Sequence, residues 1–553
     1  MNSKTKNILG FIAILLGTFI SQIDSTIVNI ASPTIGAYMN SSIKTTSWIA
    51  SIYALALGVL LITASKIADQ FGRKKFFLYG IIIFCLSSIF CATSSSIGML
   101  IFFRALQGVG AAILTPIVIP MAVNIFGSNK NALLSAAFGG TSAFAASLGG
   151  PVGGFLTQYL SWKWIFLINV PICIAAFIIT LFCIKESYDE TTSKKIDFKG
   201  NLLLTAGLFL LVFSLIKATD YGIGSPSIIS MFAGSLVLLA AFFYTEKRVK
   251  APMLDLKLFT ERNYRNSTIC VMFLGLALAP SMFLINYFMN NILGYNSLKT
   301  GITICSMALT CMIVSIITPM FYKKAGYRKF NIISMLAFIG GNFLLSTITP
   351  NSSQMQIVLF LMILGIAMGC GAPALIGGSL RYLKDEKIGI ASGVINMSRQ
   401  IGVLLGIAIF VSVLNYQSEI NFSMGKKEFV NDIQASATLS ATAKKEMIDS
   451  VEKLTTQSHD AHKEDILNKI GQEKINRLKN IPKALQPGIT KKFDSEISEV
   501  SNLIDEGTST LKAKSSDGFS ITFLYSSIFL ILSLFFAFKT KPKQSLENKN
   551  LAS

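Results

Sequence analysis

The chain has 553 residues, 52% of them hydrophobic and 14% charged, with a formal net charge of +20. A soluble domain carries about 25% charged residues. Here the apolar residues form blocks longer than the ~18–20 needed to cross a bilayer as a helix, which excludes a soluble globular protein. The basic balance follows from where Lys and Arg sit between those blocks, not from a nucleic-acid surface.

The apolar blocks predict fourteen spans: 8–34, 46–66, 76–94, 98–125, 133–158, 163–184, 200–218, 226–245, 264–289, 299–321, 330–348, 355–380, 389–415 and 517–538. The first is not a cleaved signal, being too long and carrying Asp24 in its middle. An even number of spans puts both termini on one side. With that side cytoplasmic, the clusters Arg73-Lys74-Lys75, Lys247-Arg248-Lys250 and Lys323-Lys324 are inside, and the short outer loops hold only Lys44, Lys163, Lys217 and Lys299.

Span 1 contains Ser21-Gln22-Ile23-Asp24-Ser25-Thr26-Ile27-Val28-Asn29-Ile30-Ala31-Ser32-Pro33. A charge in mid-bilayer is costly and needs a partner or a wet cavity. The deep charges are Asp24, Arg104 in span 4 and Arg399 in span 13. Structural ion pairing is one reading of them; an ion or substrate pathway is the other. Burial favours a neutral acid and a neighbouring cation a charged one, so Asp24 can trade a proton for a cationic substrate. Arg104 keeps its charge and can bias that exchange. Contact between the two is not decided by the sequence.

Between spans 2 and 3 lies Ala68-Asp69-Gln70-Phe71-Gly72-Arg73-Lys74-Lys75, an acid and a basic cluster around a glycine turn. A partial echo, Lys323-Lys324-Ala325-Gly326-Tyr327-Arg328-Lys329, follows span 10, as expected of two related halves. Span 4 continues from Arg104 as Ala-Leu-Gln-Gly-Val-Gly, and span 5 carries Gly149-Gly150-Pro151-Val152-Gly153-Gly154. Small residues let helices approach closely and proline removes a backbone donor. The eight cysteines all fall in predicted spans and read as small packing residues.

Residues ~416–516 separate spans 13 and 14 and carry nearly balanced charge. Ile489, Phe493, Ile497, Val500, Ile504 and Leu511 recur at helical spacing, with Met447, Ile448, Val451 and Leu454 as a second stripe. This predicts a helical hairpin or cap outside the membrane. His459 and His462 share a helical face but have no evident third ligand, so no metal site is expected. No phosphate-binding GxxxxGK[ST] loop occurs, and no nucleophile–base pair appears; neither a cofactor nor an enzymatic activity is expected.

Taken in order, these segments resemble the major facilitator superfamily, specifically its fourteen-helix drug:proton antiporters of the EmrB/QacA type, over roughly 1–415. Asp24, Thr26, Val28, Asn29 and Pro33 are similar to that group's helix 1 motif. Asp69, Gly72, Arg73 and Lys74 resemble the loop 2–3 motif, with Ser65 in place of its first glycine. Arg104, Gln107, Gly108 and Gly110 resemble the helix 4 motif of proton transfer. Gly150, Pro151, Gly153 and Gly154 resemble the helix 5 motif of exporters, with Ala146 where a further glycine is usual. The stretches Trp162–Pro171, Gly294–Gly301 and Ser398–Gly406 add to the likeness.

The resemblance implies an all-α membrane protein. Two six-helix bundles would hold two linking helices between them. The units are then 1–190 (first bundle), 191–255 (linking helices), 256–415 (helices 9–13), 416–516 (extracytoplasmic segment) and 517–553 (last helix and tail). It implies proton-driven efflux of hydrophobic or amphiphilic compounds from a monomer in the cytoplasmic membrane, with proton coupling at Asp24 and Arg104. Gating falls to Asp69, Gly72, Arg73 and the helix 5 residues. Tyr53, Asn286, Asn290, Met307, Asn396, Arg399 and Gln400 are candidate substrate contacts. Span 13 has Asn396 and Arg399 where some dication exporters carry acids, which leaves monocations, neutral compounds and anions open. Export of an endogenous lipid, peptide or siderophore-like molecule is the alternative. In that case residues 416–516 would meet an envelope partner. A non-transporting sensor is the remote one.

Overall fold

The computed structural model describes residues 3–127, 131–188, 197–222, 224–249, 256–380, 388–454 and 486–540, with Pro252, Leu254 and Gln472. Among the described residues there is no strand. The helices are α1 (Ser3–Tyr38), α2 (Ile43–Phe71), α3 (Arg73–Ala92), α4 (Ile97–Phe126), α5 (Asn131–Tyr159), α6 (Trp164–Leu167), α7 (Asn169–Cys183), α8 (Phe198–Tyr221), α9 (Pro226–Arg248), α10 (Arg262–Asn291), α11 (Ser297–Ala325), α12 (Tyr327–Leu345), α13 (Gln354–Leu380), α14 (Ile388–Ala435), α15 (Ala441–Lys453) and α16 (Gln486–Phe538). Among the described residues, twelve helical spans, with α6 and α7 taken as one, are long and apolar enough to cross a membrane. The two predicted spans outside that set are α5, rich in Gly, Ala and Ser, and α12, with 19 residues and Arg328 and Lys329 in its first turn.

Local chemistry starts and stops these helices. Side chains of Ser42, Ser96, Ser225 and Asn296 accept a backbone N–H three residues on, at 2.8–3.3 Å. Such N-caps are worth about 1 kcal/mol each. Gly72 (φ +115°) separates α2 from α3, and Gly326 (φ +76°) separates α11 from α12. Both positions lie in the left-handed region that glycine alone enters freely. The same break therefore recurs in both halves, where the two basic loops echo one another.

Helices α1–α7 form one bundle, in which α2 packs on α4, α3 on α4 and α1 on α5 and α7. Helices α10–α14 and α16 form the second, through α11 on α13, α10 on α14, α12 on α13 and α14 on α16. The halves meet along α5·α11 and α2·α14. The pair α8·α9 leans through α8 on α2 and α14, bridging the two bundles.

The described part of the segment after span 13 is helical, as its stripes predict, but its two long helices continue the flanking spans. Helix α14 runs unbroken for 48 residues and α16 for 53, or ~72 and ~80 Å at 1.5 Å per residue. A hydrocarbon layer is about 30 Å thick, so each carries its span into a polar extension. The reason is that hydropathy falls where a helix leaves the membrane, while helix-forming residues continue. In the extension α14, α15 and α16 bury a separate core, in which Phe422 and Phe429 of α14 meet Met447, Val451, Phe493, Val500, Ile504 and Leu511 of the two predicted stripes. A Cβ at Gly507 would collide with the Phe429 ring, so glycine sets the approach of α16 to α14. His459, His462 and Pro482 lie outside the described residues.

Candidate functional site

Four helices converge on Asp24. Helix α4 carries Arg104 and Gln107, and it can come close because Gly108 and Gly110 lack side chains. A Cβ at Gly108 would lie 2.8 Å from Tyr53 O of α2, and one at Gly110 2.8 Å from Phe84 N of α3. With α4 seated there, the Arg104 Nη1 donates to Asp24 Oδ2 at 2.5 Å and to Gln107 Oε1 at 2.6 Å. Gln107 Nε2 and Asn169 Nδ2 donate to the other oxygen, Asp24 Oδ1, at 3.0 and 3.1 Å. The same two amides also donate to Ser88 Oγ at 2.7 and 3.1 Å. Arg104 Nε reaches Ile49 O at 3.3 Å, and its guanidinium lies 4.3 Å from the centre of the Tyr53 ring. Asp24 is fully buried and Arg104 is 1% exposed. The charges thus occupy the interior as a hydrogen-bonded pair, the condition under which burial is tolerated.

Beside this cluster lies a cavity of about 250 Å³ between the bundles. Its walls come from α1, α2, α4 and α5 on one side and α10, α11, α13 and α14 on the other. Tyr53, Arg104, Met282, Met307, Met368, Asn396, Arg399 and Gln400 are among the lining residues. Asp24 is not: Arg104 and Tyr53 face the cavity in its place. A mostly apolar pocket with a few polar groups is the usual form of a small-molecule site.

One end of the cavity is closed. A Cβ at Gly150 would lie 2.6 Å from Gly301 O, and one at Gly154 would strike Ser297 O, so α5 and α11 touch backbone to backbone. On its other face α5 meets α1, where a Cβ at Gly153 would lie 2.7 Å from Ile27 Cγ1. Thr34 and Ser297 hydroxyls add a 3.3 Å bond across the halves. Asn286 Nδ2 donates to Asn29 O, and at 3.4 Å to Ile30 O, joining α10 to α1.

The Major Facilitator Superfamily model matches residues 14–407. The chain belongs to this superfamily. It is 31% identical to "Multidrug resistance protein 3" of Bacillus subtilis (strain 168) over 403 residues, covering 73% of this chain and 78% of that one. It is 27% identical to the "Tetracenomycin C resistance and export protein" of Streptomyces glaucescens, over 72% and 74% of the two chains. It is also 27% identical to "Probable multidrug resistance protein EmrY" of Escherichia coli (strain K12), over 77% and 82%. Among solved structures, a bacterial homolog of the human lysosomal transporter Spinster aligns with TM-score 0.58, 11% identity and 96% coverage of each chain. The D-xylose-proton symporter aligns with TM-score 0.53, 12% identity and coverage of 74% and 90%. Both likenesses are of fold. The protein is a multi-pass membrane transporter of the Major Facilitator Superfamily.

Within this superfamily fold the sequence-predicted residues separate by position. Asp24 and Arg104 meet directly. Met307, Asn396, Arg399 and Gln400 line the cavity. Tyr53 lines it too, but its ring stacks on Arg104 and its hydroxyl donates to Ser21 O at 3.3 Å. Asn286 and Asn290, read as substrate contacts, are not in the cavity wall. Asn286 ties α10 to α1, and Asn290 bonds Asn286 O at 2.9 Å and Thr300 Oγ1 at 3.3 Å. Their place in α10 turns them toward neighbouring helices, which depth along a span does not reveal.

The loop 2–3 residues form a knot at the end of α2. Arg73 Nε binds Asp69 Oδ1 at 2.7 Å, one helical turn away. Glu186, just after α7, accepts the N–H groups of Lys74 (2.8 Å) and Lys75 (3.2 Å) and so caps α3. A carboxylate at that N-terminus also complements the helix dipole. A Cβ at Gly72 would lie 2.7 Å from the Glu186 carboxyl carbon, which adds a second requirement for glycine there. Glu186 and Ser88 were not singled out in the sequence; Asn169 and Gln107 stood only as parts of resembling stretches. A buried Ser beside an apolar run gives no signal until its neighbours are known.

Proposed function

We propose that this transporter is a proton-coupled exporter of hydrophobic and amphiphilic toxic compounds, with Asp24 as the coupling group. The observation that carries the reading is the buried Asp24–Arg104 pair beside a cavity shared by both bundles. The names of the similar proteins, which speak of multidrug resistance and antibiotic export, support the class of cargo.

The chemistry follows from the contacts. Protonation of Asp24 removes the charge that holds Arg104, which keeps Gln107 Oε1, Ile49 O and the Tyr53 ring. The new O–H needs an acceptor. Asn169 Oδ1 is buried without a partner and lies on the amide that already touches Asp24, so a turn of that amide supplies one. The cluster can therefore offer the new proton an acceptor, at the cost of the Asn169 Nδ2 bonds to Asp24 and Ser88 and of the tie between α1 and α4. Rocking of the bundles about α5·α11 and α2·α14 would then carry the cavity from one face to the other.

The expected setting is the cytoplasmic membrane. It has fourteen spans with α5 and α12 included, both termini inside, residues ~416–516 outside, and a monomer driven by the proton gradient without a cofactor. Export of an endogenous lipid, peptide or siderophore-like molecule is the second reading. The extension of α14 and α16, which lies outside the family match, favours it as a surface for an envelope partner. The two part in a host deleted for this gene. Toxic amphiphiles should inhibit growth at lower doses, and restored expression should reverse this. Unchanged sensitivity across a broad panel would favour endogenous cargo.

A further inference from the structure

The cavity wall carries two charged groups, Arg104 and Arg399, and no acid among the described residues. Arg104 is neutralised by Asp24. Arg399 has neither an ion pair nor a hydrogen bond from its side chain among the described residues. Its backbone is also clamped: α10 lies so close that a Cβ at Gly275 would strike Arg399 O. An unpaired guanidinium at this depth is costly, and the mostly apolar wall around it weakens the screening of its charge. A bound cargo can supply the partner it lacks.

Resting on the efflux reading above, we propose that Arg399 is the specificity-determining residue and selects cargo bearing a carboxylate on an apolar body. A carboxylate matches the planar guanidinium fork with two parallel hydrogen bonds. Asn396 and Gln400, on the same stretch of α14, supply amides to the headgroup. The thioethers of Met282, Met307 and Met368 offer an adaptable apolar bed for the body. A cationic headgroup would meet like charge in a weakly screened site. Asp24 stands behind Arg104, outside the wall, so proton and cargo do not compete for one carboxylate. Coupling then runs through the movement of the halves, and release follows when the α10–α14 wall that holds Arg399 parts from the α1–α5 wall.

The test uses purified full-length protein in lipid nanodiscs and three fluorescent probes of one body: a naphthyl-alkyl carboxylate, the matching amide and the matching trimethylammonium. The expected order of affinity is carboxylate, then amide, then ammonium. Arg399→Gln should weaken the carboxylate by about 10-fold or more, the scale of a lost charged hydrogen bond, and leave the amide within about two-fold. Arg399→Lys should keep the order. Ammonium binding as tight as carboxylate in the unaltered protein overturns this assignment while the efflux reading stands. So does a parallel loss of all three probes in Arg399→Gln. Binding of none of the probes overturns the efflux reading and the assignment with it.

Discussion

Asp24→Asn and Arg104→Gln should each lower the thermal stability of the detergent-solubilised protein sharply, and the double variant should recover much of the loss. Removing one member of a buried pair leaves the other charge uncompensated, at about 3–5 kcal/mol, whereas removing both is often nearly neutral. Asn at position 24 still accepts from Gln107 and Asn169 through Oδ1, while its Nδ2 turns a second donor toward the uncompensated Arg104. Gln at position 104 leaves Asp24 with those two amide donors but no cation. The non-additivity of the cycle reads their coupling directly. Additive losses would mean that the 2.5 Å pair contributes nothing to the fold.

Gly150→Leu should hold the transporter away from the conformation described above. The Cβ alone would sit 2.6 Å from Gly301 O, and the longer side chain would wedge α5 from α11. Overpacking costs about 1–3 kcal/mol, which shifts a two-state equilibrium by roughly 5- to 150-fold. Transport should fall accordingly. A cysteine placed at Met282, in a background without the native cysteines, should become more reactive toward a membrane-impermeant maleimide applied from the closed end. Unaltered transport and labelling would show that the glycine contact is incidental to closure.

Much of this arrangement was legible beforehand, and for physical reasons. Long apolar runs mark membrane helices whatever their partners, so most span limits fall near the helix limits. Charge is expensive in a membrane, so Asp24, Arg104 and Arg399 stood out by their depth alone. What the residues could not convey was azimuth, the direction in which each side chain points around its helix. Asn286 and Asn290 have the depth of cavity residues but face α1 and α11. Ser88 and Asn169 complete the Asp24 cluster through contacts 81 residues apart in the chain. Glu186 caps a helix more than a hundred residues upstream. The extension of α14 and α16 was hidden by the opposite effect, because hydropathy changes at the membrane boundary and the helix does not.

The central claim is that Asp24 couples protons to cargo. Proteoliposomes loaded with a pH-sensitive dye, given a pH gradient and then a panel of amphiphiles, test it most directly. The unaltered protein should pass protons only when a cargo is present, and Asp24→Asn should abolish that flux while binding cargo. Substrate-dependent proton flux of equal size in Asp24→Asn would contradict the account.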